Sequence, residues 1–450
     1  MNLIIVGAGK VGSTLVESFV KENHDIIVMD TDGATLTGVV NRYDVKGVIG
    51  SGLERDSLTE ADVSQTDFFI ACTSRDEVNI LSCVLAKKLG ARRTIARVRD
   101  PEYFKEMKSM KEVLGLDFFF NPEYRTAAEI AQVLKFPSAI NVESFADGRA
   151  NMVEFKIGEG NPLVGKSLFS ISKEYNLNLL IGMVVRGDEV IIPRGDFVIK
   201  KGDIVHIIAP ATEISAFSKK VKLFKPRAKS VFMVGGSKIS FYLAKELIES
   251  GVSVKIVEKD ADRANELSKA LPKATVICGD ATEQEVLDEE SFKNSDAFVS
   301  LTDRDEQNVI FSLYAANAGV SKVVTKVDRP EILSMIKNSG LETSVSPRIA
   351  IANHIIRFVR AHQAESGSGI NTLYKFHDKV EALEFTVGED FLGKGREIKE
   401  LQIKSGILIG GIVRGDEYVH PKGDSKLLVG DKVIVVTAVR SITELSEILR

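Results

Sequence analysis

Two patterns alternate along the chain. Short apolar runs are each followed by longer segments in which apolar residues recur every three or four positions, so strands and amphipathic helices take turns. The first run is Leu3-Ile4-Ile5-Val6, after which Val11, Leu15 and Phe19 share one helical face. Ile26-Ile27-Val28-Met29 predicts a second strand ending in Asp30, with a helical stretch around Ala34 to Arg42 behind it. A short strand over Lys46 to Ile49 ends in Gly50-Ser51-Gly52. A further strand, Asp67 to Cys72, runs into Thr73-Ser74-Arg75-Asp76-Glu77-Val78-Asn79, then a helix to about Leu89 and a strand over Thr94 to Val98. This rhythm predicts a parallel, doubly wound sheet. Pro101 and Pro122 bracket a linking helix, and Pro137 closes the next. From about Asn141 the pattern shifts to alternating apolar and β-branched residues between the turn signals Arg186-Gly187-Asp188, Pro193-Arg194-Gly195-Asp196 and Lys201-Gly202-Asp203. That predicts a small β-rich lobe with one helix near Lys166 to Tyr175.

The whole pattern then repeats. Gly235-Gly236-Ser237-Lys238-Ile239-Ser240 matches Gly7 to Gly12 at an offset of 228, and Glu258 falls on Asp30 at the same offset. Gly279-Asp280 matches Gly50-Ser51, and Thr302-Asp303-Arg304-Asp305-Glu306-Gln307-Asn308 matches Thr73 to Asn79, both at 229. Lys326 to Glu331 matches Arg97 to Glu102, and Arg414-Gly415-Asp416, Pro421-Lys422-Gly423-Asp424 and Gly430-Asp431 repeat the turns of the lobe. Ala364 to Gly369 reads as a flexible link. The expected order is sheet domain 1–137, lobe 138–224, sheet domain 229–350 and lobe 370–450.

Gly7-Ala8-Gly9-Lys10-Val11-Gly12 is a G-x-G-x-x-G turn set between a strand and a helix, the context in which that motif has physical meaning. The first glycine permits the tight turn, the second lets backbone approach a pyrophosphate, and the third lets helix pack on strand. The helix start offers unpaired N–H groups to phosphates. Asp30, 18 residues past Gly12, can accept ribose hydroxyls and would repel a 2′-phosphate, which favours NAD over NADP. The alternative is a turn of this type that no longer binds anything. Gly7 to Gly12, Asp30, Ser51, Thr73 and Arg97 lie on five predicted strand ends, and ligands of doubly wound sheets bind at those ends. The fold class is thus α/β: two tandem Rossmann-type, doubly wound parallel-sheet domains, each followed by a small β-rich α+β lobe. In the second half, serines at 237 and 240 replace glycines, so each Cβ is expected to crowd the turn and weaken or alter binding.

Composition changes the picture little. With 450 residues, 44% hydrophobic, 27% charged and a net charge of −4, the chain suits two to four globular domains and carries no general nucleic-acid field. Cys72, Cys83 and Cys278 form no framework, which fits a reducing cytoplasmic setting. Cys72 and Cys278 sit in or beside apolar runs and are expected to be buried and inert. No apolar run is long enough to cross a membrane, and no signal peptide is apparent. The basic run Lys219 to Lys229 reads as a solvated linker, or else as a surface for a partner.

Catalytic groups are hard to find. His24, His206, His354, His362, His377 and His420 do not cluster in sequence. His206 falls in a predicted strand, and His354 and His362 are two helical turns apart with no third ligand. There is no P-loop and no G-x-S-x-G elbow. Asp76-Glu77 and Asp305-Glu306 sit where helices begin, as dipole partners do. Doubled binding machinery without chemistry points to sensing; the competing reading is an NAD-dependent oxidoreductase with a duplicated Rossmann domain.

The glycine turn, Asp30, the Thr73 to Asn79 and Thr302 to Asn308 segments and the Arg97-Val98-Arg99-Asp100-Pro101 and Lys326 to Pro330 segments resemble regulator-of-potassium-conductance (RCK) domains. The Pro-Arg-Gly-Asp and Pro-Lys-Gly-Asp turns resemble the C-terminal lobe of the same modules, and two copies in one chain closely resemble the TrkA family. The resemblance implies a non-enzymatic, NAD(H)- or ATP/ADP-binding cytoplasmic subunit. It implies a homo-oligomeric ring on the membrane face beneath a potassium-transporting subunit of Trk/TrkH type, with no nucleic-acid partner. It also implies site roles: Gly7, Ala8, Gly9, Lys10 and Val11 for phosphates, Asp30 for ribose, Thr73 and Ser74 at the fourth strand end, and Arg97 for phosphate or adenine. The second site would use Gly235, Gly236, Ser237, Lys238, Ile239, Glu258, Thr302, Asp303 and Lys326. No metal site is implied.

Overall fold

The computed structural model describes all residues except 137, 177, 224–225, 337–338, 342, 363–368, 377–378 and 440–441. Pro137, His377, most of the 364–369 link and part of the basic run from Lys219 lie outside the described residues. The chain forms two compact units, 1–126 with 346–356, and 127–345 with 357–450.

The first unit is built on strands β1 (Asn2–Val6), β2 (Asp25–Asp30), β3 (Lys46–Ile49), β4 (Phe68–Ala71), β5 (Arg93–Arg97) and β6 (Phe118–Phe120). They pair in the order β3-β2-β1-β4-β5-β6, the strand order of the dinucleotide-binding fold. The register is parallel throughout, with Ile4 opposite Ile27 and Phe69. Helices α1 (Lys10–Val20), α2 (Gly33–Tyr43), α3 (Arg55–Glu60), α4 (Asp76–Lys88) and α5 (Pro101–Met110) connect them. Central strands covered on both faces need continuous apolar runs, and Leu3 to Val6 and Phe68 to Ala71 are fully buried. Asp32 caps α2 by accepting from Ala34 and Thr35 N–H. Asp100 caps α5 with Pro101 just inside, so the Arg-Asp-Pro sequence is a helix start. The segment between Pro101 and Pro122 is more than a linking helix: α5 stops at Met110 and β6 follows.

In the second unit α6 (Pro122–Lys135) supplies Ile130, Ala131 and Leu134 to the core of the second sheet domain. A five-stranded antiparallel sheet follows, from β7 (Val142–Phe145), β8 (Ala150–Lys156), β9 (Leu180–Arg186), β10 (Glu189–Ile191) and β11 (Ile204–Ala209), with α7 (Leu168–Tyr175) and α8 (Ala211–Lys220). The second parallel sheet has β12 (Ser230–Val234), β13 (Ser253–Glu258), β14 (Thr275–Cys278), β15 (Ala297–Ser300), β16 (Lys322–Lys326) and β17 (Thr343–Val345), in the same order as the first. Its helices are α9 (Lys238–Glu249), α10 (Ala261–Ala270), α11 (Gln284–Glu289), α12 (Asp305–Asn317) and α13 (Pro330–Ile336), while α14 (Pro347–Ala361) belongs as far as Ile356 to the first unit. The second lobe has β18 (Ile370–Phe376), β19 (Val380–Thr386), β20 (Ile407–Arg414), β21 (Glu417–Val419) and β22 (Lys432–Thr437).

The two lobes pack on each other. Met152, Met183 and Ile208 of the first share one core with Ala382, Ile434 and Val436 of the second. The approach requires glycine: a Cβ at Gly410 would lie 2.6 Å from Ile208 Cδ1, and one at Gly182 would lie 3.3 Å from Val436. Tyr374 and Tyr418 donate their hydroxyls across this face to the carbonyls of Ser144 and Ile208. Within each lobe an arginine grips a buried aspartate with two nitrogens, Arg186 on Asp203 and Arg414 on Asp431. His206 is buried against Phe376.

A buried lysine ties the first lobe to the second sheet domain. Lys322 donates to Ala139 O at 2.5 Å and to Thr343 Oγ1 at 2.7 Å. Burial pushes the nearby Glu154 carboxyl up to about 7, with Lys322 pulling the other way. A native carboxyl that holds its proton beyond its ordinary 4.5 favours folding at low pH, and the benefit is lost as pH rises through about 7. Thermal midpoints of Glu154→Gln are therefore expected to fall less than those of the parent chain between pH 5 and 7.5.

Candidate functional site

At the end of β1 the chain turns at Gly7, whose φ is +104° and whose missing Cβ would lie 3.0 Å from Thr73 N. A Cβ on Gly12 would lie 1.8 Å from Gly7 O, so the start of α1 sits directly on the turn. Gly9 differs: a Cβ there meets nothing within 4 Å. The space above Gly9 is open, at the start of a helix with no side-chain cap. Ser13 is the first residue to donate back into the turn, to Gly9 O at 2.9 Å. The N–H groups of the first helical residues, Lys10 to Gly12, are free for an anion.

Asp30 braces this turn. One carboxylate oxygen accepts Ala8 N–H at 2.6 Å, the other Asp32 N–H at 2.9 Å. Each oxygen keeps a lone pair for a hydroxyl. Ser51, after β3, accepts Leu53 N–H with its hydroxyl. Thr73 begins the loop after β4 and Ser74 is exposed beside it. Arg97, at the end of β5, donates through Nη1 to the carbonyls of Cys72 and Thr73. Its Nε is buried without a partner. Burial, with Arg99 nearby, lowers the Arg97 pKa, so an anion here would relieve an unbalanced guanidinium. The predicted residues of the first site thus converge on the carboxyl edge of one sheet. An open cradle over Gly9 and an orphaned Arg97 Nε fit the phosphates of a nucleotide.

Two residues have a positioning role that the sequence did not show. Asn79 accepts Thr73 N–H at 2.8 Å and Thr73 Oγ1 at 2.7 Å, and donates to the carbonyls of Thr73 and Arg97. It clasps the ends of β4 and β5 together. Asp76 accepts the N–H groups of Arg99 and Asp100 at 2.8 and 2.7 Å, so it fixes the following loop and is more than a dipole partner. The signal available was the repeat: Asn308 and Asp305 do the same for Thr302, Lys326, Asp328 and Arg329.

The second site has the same scaffold. Gly235 turns at φ +96°. Glu258 accepts Gly236 N–H at 2.5 Å and Asp260 N–H at 2.8 Å. The two serines are held by hydrogen bonds, and Ser240 makes a tight contact with the turn. Ser240 donates its hydroxyl to Gly235 O at 2.5 Å, and Ser237 caps α9 by accepting Ser240 N–H at 3.2 Å. A cavity of about 290 Å³ is lined by Gly235, Gly236, Ser237, Glu258, Thr302 and Asp303, together with Lys259, Asp280, Gln307 and Phe311. Lys238, Ile239 and Lys326 are not in its lining. Ile239 points into the core. Lys326 donates to Thr302 O and pairs with Asp328 at 3.3 Å.

Cys72 lies under the first turn, its thiol 3.6 Å from Gly7 O and pushed up to about 12 by burial. Cys278 is exposed, contrary to expectation, because β14 is an edge strand that ends beside the second cleft. His354 packs on Phe118, and His362 Nδ1 lies 2.7 Å from Phe358 O. Among the described residues no group of His, Cys, Asp and Glu could hold a metal ion, and no helix is long and apolar enough to cross a membrane.

Residues 3–122 and 231–347 match the TrkA-N domain, and 152–222 and 383–450 match the TrkA-C domain. A Trk system potassium uptake protein TrkA homolog of Archaeoglobus fulgidus is 32% identical over 450 residues, all of both chains. The Trk system potassium uptake protein TrkA of Vibrio alginolyticus is 31% identical, over 97% of this chain and 95% of that one. In fold, the chain is similar to the GsuK RCK domain, with a TM-score of 0.64 at 17% identity over 97% of this chain and 92% of that one. With both family domains present twice and this full-length identity, the chain belongs to the TrkA family.

Proposed function

We propose that the chain is the nucleotide-sensing regulatory subunit of a Trk-type potassium uptake system. It binds NAD(H) or ATP/ADP and controls a membrane subunit of TrkH type by changing conformation. The reading includes a non-enzymatic role, a place on the cytoplasmic face of the membrane, and the sheet domains and lobes bounded at 137, 224, 350 and 370. The observation that carries it is the uncapped, open helix start at Gly9, at the carboxyl edge of the sheet whose fifth strand ends in Arg97. The relatives named above are potassium uptake proteins, and GsuK has been solved bound to NAD and to ADP. A ligand can drive such a switch only by binding one state better than another, with couplings of about 1–3 kcal/mol.

The test is titration of the purified chain with NADH, NAD, ATP and ADP, beside potassium uptake by cells carrying the membrane subunit. Absence of any binding, or uptake indifferent to the chain, would overturn it. The reading also includes assembly into a ring of copies. Leu81 on α4 and Ile310 on α12 occupy equivalent positions and are 54% and 63% exposed. Apolar side chains repeated on matching outer faces are suited to contacts between copies. Leu81→Asp with Ile310→Asp is expected to lower the mass seen by light scattering while leaving the circular dichroism spectrum unchanged.

A further inference from the structure

The two clefts share a scaffold and differ in charge where a phosphate chain would lie. In the first, the helix start is uncapped and Arg97 Nε lacks a partner. In the second, Ser237 already occupies an N–H of the helix start. The cation equivalent to Arg97 is Lys326, and it is neutralised by Asp328 at 3.3 Å, with both side chains largely buried. Ser74 becomes Asp303 and Ser51 becomes Asp280, and both aspartates are among the residues lining the cavity with Glu258. Asp280 is held ionised by the N–H and hydroxyl of Thr282, at 2.8 and 2.7 Å. Two cations stand on the other side. Lys259 lines the cavity near Asp280. Arg263 is engaged by Gly236 O at 2.7 Å and Glu266 at 2.9 Å. The cavity is thus lined by three carboxylates, Glu258, Asp280 and Asp303, against one lysine, Lys259.

Size points the same way. A cavity of about 290 Å³ lies just under the ~300–1,000 Å³ of ligand pockets, a size suited to a small ligand. Glu258 keeps acceptor capacity for ribose hydroxyls beyond the two N–H groups it holds. Apolar surface is present in Val257, Leu301 and Phe311.

We infer that the second cleft is selective for a nucleoside carrying no more than one phosphate, and that Asp280, Asp303 and the Lys326–Asp328 pair are its specificity determinants against longer phosphate chains. This rests on the reading of both clefts as nucleotide sites. One chain would then read two chemical classes: a dinucleotide or polyphosphate in the first half and a nucleoside or its monophosphate in the second.

The experiment is calorimetric titration of the full chain carrying Gly9→Glu, which closes the first cleft, with adenosine, AMP, ADP, ATP and NAD, the polyphosphates with and without magnesium. The expected result is binding of adenosine or AMP, weakening by about tenfold for each further phosphate. Asp280→Ser with Asp303→Ser should recover roughly tenfold for ADP. ATP or NAD binding the Gly9→Glu chain as tightly as AMP would overturn the inference, as would no binding of any of the five. If Gly9→Glu fails to fold, the parent chain saturated with NADH takes its place, and the second binding event is titrated in the same way. The underlying reading fails separately: it requires NADH or ATP binding by the parent chain, whatever the second cleft selects.

Discussion

Gly9→Glu is expected to fold with a thermal midpoint close to that of the parent chain and to lose the ligand of the first cleft. Most glycine substitutions in a tight turn fail because the backbone needs a positive φ or because a neighbour is too close. Neither applies here, since a Cβ at Gly9 meets nothing within 4 Å. The new side chain grows into the volume over the start of α1, where phosphates would rest. Its carboxylate then takes the helix N–H groups and repels the anion those groups would receive. Affinity for NADH should fall by roughly a hundredfold or more, about 2.7 kcal/mol. Calorimetry paired with thermal melts checks both halves. Unchanged affinity would remove Gly9 from the site, and a collapsed midpoint would show that the open volume is not open.

Gly12→Val, three residues away in the same turn, is expected to do the reverse and damage the fold first. A Cβ there would lie 1.8 Å from Gly7 O and 3.3 Å from Cys72 Sγ. The helix must lift or the Gly7 turn must move, and Gly7 is fixed by its N–H bond to Met29 O and its approach to Thr73. A cost of about 3 kcal/mol is expected, typical of overpacking against backbone. Chemical denaturation should show it even without nucleotide. Gly12→Ser should be milder. In the second half Ser240 stands at that position, with its hydroxyl spent on Gly235 O.

Much of the architecture was legible in the chain because doubly wound sheets bury their strands on both faces. Leu3 to Val6 and Phe68 to Ala71 read as unbroken apolar runs for that reason. The repeat at 228 and 229 residues supplied the second half. What escaped notice was short or relational. The strand Phe118–Phe120 has three residues and only Phe120 is fully buried, so it leaves no periodic trace. Cys278 looked buried beside Val276 and Ile277, but it ends an edge strand. The clasp made by Asn79 depends on two strand ends that are adjacent only after folding. The hydrogen bond from the Ser240 hydroxyl to Gly235 O likewise joins groups that meet only after folding.

The shared face of the lobes has a consequence for divergence. Two identical chains meeting through such a face would carry every substitution twice, so a change useful on one side would be imposed on the other. Here the face joins two halves of one polypeptide, and that obligation is gone. Met152, Ile208, Ala382 and Val436 need only remain mutually complementary, while residues at the far ends of the sheets mutate independently. Ser237, Asp280 and Asp303 stand where the first half has Gly9, Ser51 and Ser74, differences that two identical chains could not carry on one side alone.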